Sequence, residues 1–141
     1  MGEVAQSGSV AARLGLSAGD TVGEFGYDDD VDHELRDAVE ELVGGELLDE
    51  DADEVLDAVL LWWREQDGDL TDALVDNISL LAESGVIWLL TPKTGRPGAV
   101  DPSEIAEATR TAGLAQTTTV PGSPGWMIAR LARSRAGRPR R

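Results

Sequence analysis

The chain has 141 residues, no cysteine and a formal net charge of −15. That length suffices to bury a core, and the composition excludes both disulfides and thiolate metal sites. The longest apolar run, Ala58 to Trp63, is far too short to span a bilayer. The start of the chain lacks a basic stretch followed by an apolar core, so the expected location is cytoplasmic.

Residues 1–12 read as a flexible tail rich in Gly, Ser and Ala, followed by an α/β domain over 13–132. The first strand is expected between Thr21 and Tyr27, where Val22, Phe25 and Tyr27 alternate imperfectly with small or polar residues. The acidic run Asp28–Asp30 ends it and offers an N-cap. Helical spacing then joins Val31, Leu35, Ala38, Val39 and Leu42, with Gly44-Gly45 as the stop. A short strand is expected over Glu46–Leu48. The segment from Ala52 to Trp63 becomes continuously apolar, which fits a strand covered on both faces; a buried helix is the alternative.

Gly68-Asp69 opens a helix through Leu70, Leu74, Ile78 and Leu81 that is expected to end at Gly85. Val86–Leu90 is a further buried strand. Asp101-Pro102 begins a helix with a capping residue, a proline in the first turn and Glu104 behind them, and Gly113 closes it. Thr117–Val120 and Trp126–Leu131 flank a Pro/Gly-rich turn and form an antiparallel hairpin. Strands and helices thus alternate before a final hairpin. The expectation is a single three-layer α/β domain whose sheet is mostly parallel and ends in an antiparallel pair. The end of the chain, 133–141, reads as a disordered, Arg-rich tail.

Three stretches carry a resemblance: Ala12-Arg-Leu-Gly-Leu16, Gly44 to Val55 with Leu60-Leu-Trp-Trp63, and Trp88 to Gly98. Together they resemble the actinobacterial family designated domain of unknown function 3052. The layout is also similar to a shortened Rossmann-type methyltransferase. That likeness implies a glycine-rich turn after the first strand and an acid at the end of the second, holding the cofactor's ribose. The turn here, Gly23-Glu-Phe-Gly-Tyr-Asp-Asp-Asp30, has two glycines instead of three and sets three acids at the cofactor's polar end.

No motif assigns a catalytic residue, a cofactor or a metal. Acids alternate at Asp28/Asp30/Asp32, Asp49/Asp51/Asp53 and Asp67/Asp69, yet none of these runs has the Gly at position six and Glu at position twelve of a calcium loop. The lone His33 lies on the polar face of its helix, without the partners that zinc or nucleophilic catalysis needs.

Binding is better marked. Asp20 to Asp76 contains 22 acids against Arg36 and Arg64 alone. Such a face repels phosphates and anionic membranes and attracts a protein with a basic surface. Asp28, Asp29 and Asp30 stand at its centre. The loop Thr91-Pro-Lys-Thr-Gly-Arg-Pro-Gly98 follows a buried strand, where open α/β sheets bind ligands. Its Thr91, Lys93, Thr94 and Arg96 suit a clamp for an anion or an acidic peptide. Trp62 and Trp63, adjacent on a strand, point to opposite faces, and one of them is a candidate partner anchor beside core packing. The expected function is that of a non-enzymatic binding or regulatory protein on a degenerate methyltransferase-like scaffold, engaging a protein partner through the acidic face and the Lys93/Arg96 loop. The alternative is a small-molecule enzyme or cofactor binder derived from an S-adenosylmethionine-dependent methyltransferase.

Overall fold

Five strands pair into one sheet in the order β1-β2-β3-β5-β4 among the described residues, which in the computed structural model are 2–51, 53–121 and 123–134. In chain order the elements are α1 (Gly2–Arg13), β1 (Val22–Phe25), α2 (His33–Val43), β2 (Leu56–Trp62), α3 (Leu70–Ile78), β3 (Leu81–Pro92), α4 (Pro102–Thr111), β4 (Leu114–Val120) and β5 (Trp126–Arg133). The strands β1, β2 and β3 run parallel, while β5 is antiparallel to both β3 and β4. The expected mostly parallel sheet with a terminal hairpin is the one observed.

Alternation along the strands divides the core. Ala58, Leu60 and Trp62 of β2 pack with Leu35 and Val39 of α2 on one face, and Val59 and Leu61 pack with Leu74 of α3 and Ile105 of α4 on the other. A strand buried on both faces has no polar side to show, which is why β2 reads as continuously apolar. The starts of α2, α3 and α4 are each fixed by an aspartate. Asp32 accepts from Leu35 N at 3.1 Å, Asp69 from Asp72 N at 3.3 Å and Asp101 from Ser103 N at 2.9 Å. The cap of α2 is therefore Asp32, not the Asp28–Asp30 run.

Other expectations are corrected. The N-terminal segment is helix α1, and its Val10 and Ala11, with Leu14 just beyond, are buried in the cluster containing α2. Val10 and Leu14 lie four residues apart on one helix face, a spacing hidden by the surrounding Gly and Ser. Gly85 does not end α3. That helix stops at Ile78, and Gly85 lies within β3, where residues 82–85 interrupt the pairing between Leu56↔Leu81 and Ala58↔Val86. Gly85 is needed there for close approach, since a Cβ would stand 3.1 Å from the Asp57 carbonyl. Arg133 belongs to β5 and staples this irregularity, donating to the carbonyls of Ala82 at 2.9 Å and Glu83 at 2.7 Å. Residues 135–141, the rest of the expected Arg-rich tail, lie outside the described residues. No described helix is long and apolar enough to cross a membrane.

Candidate functional site

The strand expected at Glu46–Leu48 is reduced to one parallel bridge, Gly23↔Leu48. Two hydrogen bonds hold it: Glu24 N to Leu48 O at 2.8 Å, and Leu48 N to Val22 O at 2.9 Å. Small as it is, the bridge lies on the side of β1 opposite β2. The chain leaves β1 in one direction through α2 and later returns on the other side as β2. That reversal creates a crevice beyond the carboxyl ends of β1 and β2, the place where open α/β sheets hold ligands.

On the α2 side the chain fills this crevice itself. Arg64, which follows β2 and is only 6% exposed, reaches across it. Its Nη1 donates to Gly26 O at 2.7 Å, and its Nε and Nη2 donate to the two oxygens of Asp30 at 3.1 and 2.5 Å. Asp67 adds a second carboxylate, 3.3 Å from Nη1. The guanidinium carbon lies 5.3 Å from the centre of the Trp126 ring, which itself meets Trp62 edge-on at 4.9 Å. Burial works against the charged guanidinium, but the hydrogen bonds to Asp30 and Asp67 outweigh it and raise the Arg64 pKa. The hydrogen bonds from Arg64 in turn hold the Asp30 carboxyl below its ordinary value.

A second clasp lies beneath. The carboxylate of Glu24, 7% exposed, accepts from Arg36 Nε at 2.5 Å, Arg36 Nη2 at 2.7 Å and Trp62 Nε1 at 2.8 Å. The hydrogen bonds to Glu24 raise the Arg36 pKa despite partial burial. Both arginines of the acidic half are thus consumed in structure.

What remains open is lined by acids. A cleft of about 500 Å³ on the α3 side has Phe25 and Trp63 in its walls, Glu50 at its rim and Asn77 at its base. Asn77 is 3% exposed; its Nδ2 donates to Ala73 O at 2.7 Å, while its Oδ1 has no partner. A neighbouring cleft of about 510 Å³ is lined by Tyr27, Arg36, Leu47, Asp49, Glu50 and Asp51. Tyr27, 49% exposed, stands between them, with the Arg36 guanidinium 4.7 Å from its ring centre and His33 edge-on at 5.9 Å.

The residues singled out from sequence are therefore dispersed. Asp28, Asp29 and Asp30 are exposed at the end of β1, with Asp30 held by Arg64. Trp62 is fully buried and bonded to Glu24, whereas Trp63 is half-buried on the opposite face, as adjacent strand positions require. Thr91 is buried; Lys93 and Thr94 are exposed. Lys93 and Arg96 diverge, because Arg96 Nη1 donates to Gly125 O at 2.5 Å and faces a cleft with Asp30 and Asp32, whereas Lys93 borders another cleft beside Thr91. Sequence reasoning missed Glu24, Arg64, Asn77 and Trp126. The available signal was the isolation of Arg36 and Arg64 among 22 acids, a setting in which a cation rarely stays unpaired.

A family model described as "Protein of unknown function (DUF3052)" matches residues 11–135. The chain belongs to the DUF3052 family. The uncharacterized proteins Mb2263c of Mycobacterium bovis and Rv2239c of Mycobacterium tuberculosis are each 55% identical over 130 residues, covering 91% of this chain and 82% of theirs. Among solved structures, the pyocyanin biosynthetic protein PhzM superposes with a TM-score of 0.66 at 14% identity, over 92% of this chain and 55% of PhzM. An S-adenosylmethionine-dependent methyltransferase from Aquifex aeolicus gives a TM-score of 0.62 at 14% identity, over 89% of this chain and 88% of that one. This DUF3052 chain thus spans little more than half the length of PhzM, and at such identities the likeness shows a methyltransferase-like fold alone.

Proposed function

We propose that this DUF3052 protein is a non-enzymatic binding or regulatory protein, using a methyltransferase-like scaffold to engage a protein partner with a basic surface. The observation carrying this reading is the Arg64 guanidinium, which spans the crevice from Gly26 O to Asp30 and leaves no glycine-lined cradle on that side. The partner surface is the exposed acidic face around Tyr27, with Asp28, Asp29, Asp49, Glu50 and Asp51. An aromatic ring held in place by its neighbours loses little entropy when a partner covers it, and the surrounding carboxylates steer a cationic surface toward it. Arg96, anchored on Gly125, lines the separate cleft with Asp30, Asp32 and His33.

The test is capture of partners from native cells with the tagged full chain. A partner retained by the wild type and lost on Tyr27→Ala combined with Glu50→Gln and Asp51→Asn supports the reading. Undiminished capture by the variant overturns it.

A second reading has one observation in its favour. Asn77, whose buried Oδ1 has no partner, lines the cleft walled by Trp63, and a small turn of its amide would offer that oxygen to a small planar molecule that donates an N–H. Thermal stabilisation by S-adenosylmethionine, abolished by Asn77→Leu, would favour that cofactor-binding alternative.

A further inference from the structure

Among the clefts of the described residues, one carries no acid on its lining. Between the amino end of α4 and the β3–β5–β4 part of the sheet lies a cleft of about 350 Å³. Leu89, Met127 and Ala129 contribute to it from β3 and β5, and Ile105 from α4. Not one of its lining residues is acidic, although the chain holds 27 acids, and each of the other clefts described carries several. The single charged group on its border is Lys93, the only lysine in the chain. Thr91 also lines it and is 3% exposed.

We infer that this cleft binds a small apolar carboxylate, with the acyl chain or ring on Met127, Leu89 and Ile105 and the carboxylate toward Lys93 and Thr91. Four features support this beyond the apolar lining. The volume is at the lower end for a small-molecule pocket. Lys93 is rooted in place, since its backbone N–H donates to Gly125 O at 2.9 Å. Thr91, a nearly buried lining residue, carries a hydroxyl in a low-dielectric setting where a hydrogen bond to an anion is strengthened. Met127, 41% exposed, is an adaptable thioether surface left uncovered by α4. Among the clefts of the described residues, this one sets a cation on its lining with no carboxylate beside it, so a negative charge meets no local repulsion there. The assignment is independent of the partner surface around Tyr27.

Met1 and Met127 are the only methionines, so methyl-¹³C methionine labelling gives one reporter inside the cleft. The full chain is titrated with octanoate, with octanol as the uncharged control. The expected result is a saturable shift of the Met127 methyl with octanoate. Lys93→Gln should weaken that binding by about fivefold while leaving octanol unaffected. Ala129→Leu should reduce it by filling the cleft, with the wild-type fold checked by the remaining spectrum. No saturable shift with octanoate, or an octanoate affinity unchanged by Lys93→Gln, overturns the assignment. So does a response confined to peptides ending in a free apolar carboxyl terminus, which would make this a docking site for a chain end.

Discussion

Arg64 and Asp30, 34 residues apart, meet in a two-bonded ion pair that ties the carboxyl end of β2 to the turn after β1. The pair is asymmetric, because the Arg64 side chain is 7% exposed and that of Asp30 48%. Most of the value therefore lies on the arginine side, which also satisfies the Gly26 carbonyl and packs on Trp126. Arg64→Ala should cost about 2–4 kcal/mol, since it strips buried acceptors and leaves a void. Arg64→Lys should recover only part of that, as an ammonium cannot reproduce the fork. Urea unfolding of the two variants checks the order; equal stability of the lysine variant and the wild type would refute it.

The same pair predicts an acid dependence. The Asp30 carboxyl is held below its ordinary value of 3.8 by the hydrogen bonds from Arg64. A lowered folded pKa means that the ionised form stabilises the fold. This contribution is complete above the unfolded value, and it is lost as pH falls from near 3.8 through the folded value. Asp30→Asn should thus lie below the wild type at pH 7 by about 1 kcal/mol or less, given the exposure of Asp30. The gap should close at acid pH. A gap that widens on acidification contradicts the pair's role.

Glu24 and Arg36 offer a sharper electrostatic test. Arg36→Met leaves the buried Glu24 carboxylate with Trp62 Nε1 as its remaining side-chain donor, and about 2–4 kcal/mol should be lost. Glu24→Gln should cost less, because an amide is cheaper to bury than an unpaired charge. In the double variant the losses should fall short of additivity by more than about 1 kcal/mol, which a cycle of denaturation measurements reads directly. Full additivity would mean that the contact contributes nothing.

The order of layers was legible because burial writes itself into sequence. Continuous apolar runs marked β2 and the carboxyl half of β3, and Asp101-Pro102 marked α4. The site was less legible. Its central groups, Glu24, Arg64 and Trp126, come from three separate strand ends, and only tertiary pairing shows that they meet. The missed helix α1 has the same cause. Its glycines and serines lower intrinsic helicity, and its place is secured by Val10 and Leu14 against α2, a contact that propensity cannot register. Leu14→Ala, at a 3% exposed position, should therefore cost about 2–4 kcal/mol. A loss under about 0.5 kcal/mol in urea unfolding would detach this segment from the core.

The end of β1 and the turn after it give the last test, because Gly23 in the strand and Gly26 in the turn serve different ends. Gly26 has φ +79°, and a Cβ there would collide with the backbone carbonyl of Trp62, which cannot move without disturbing β2. Gly23 has no such backbone strain, and a Cβ there would meet the Leu56 Cδ1 methyl at 2.6 Å, the mobile end of a side chain. Gly26→Ala should accordingly cost about 3 kcal/mol or more, combining a left-handed backbone with a clash. Gly23→Ala should cost about 1–2 kcal/mol as Leu56 changes rotamer. If instead Gly26 were kept small so that a cofactor could approach, Gly26→Ala would leave stability nearly intact and remove only binding. Thermal unfolding of the two variants separates these cases, and the steep loss at Gly26 is the outcome that the Trp62 carbonyl requires.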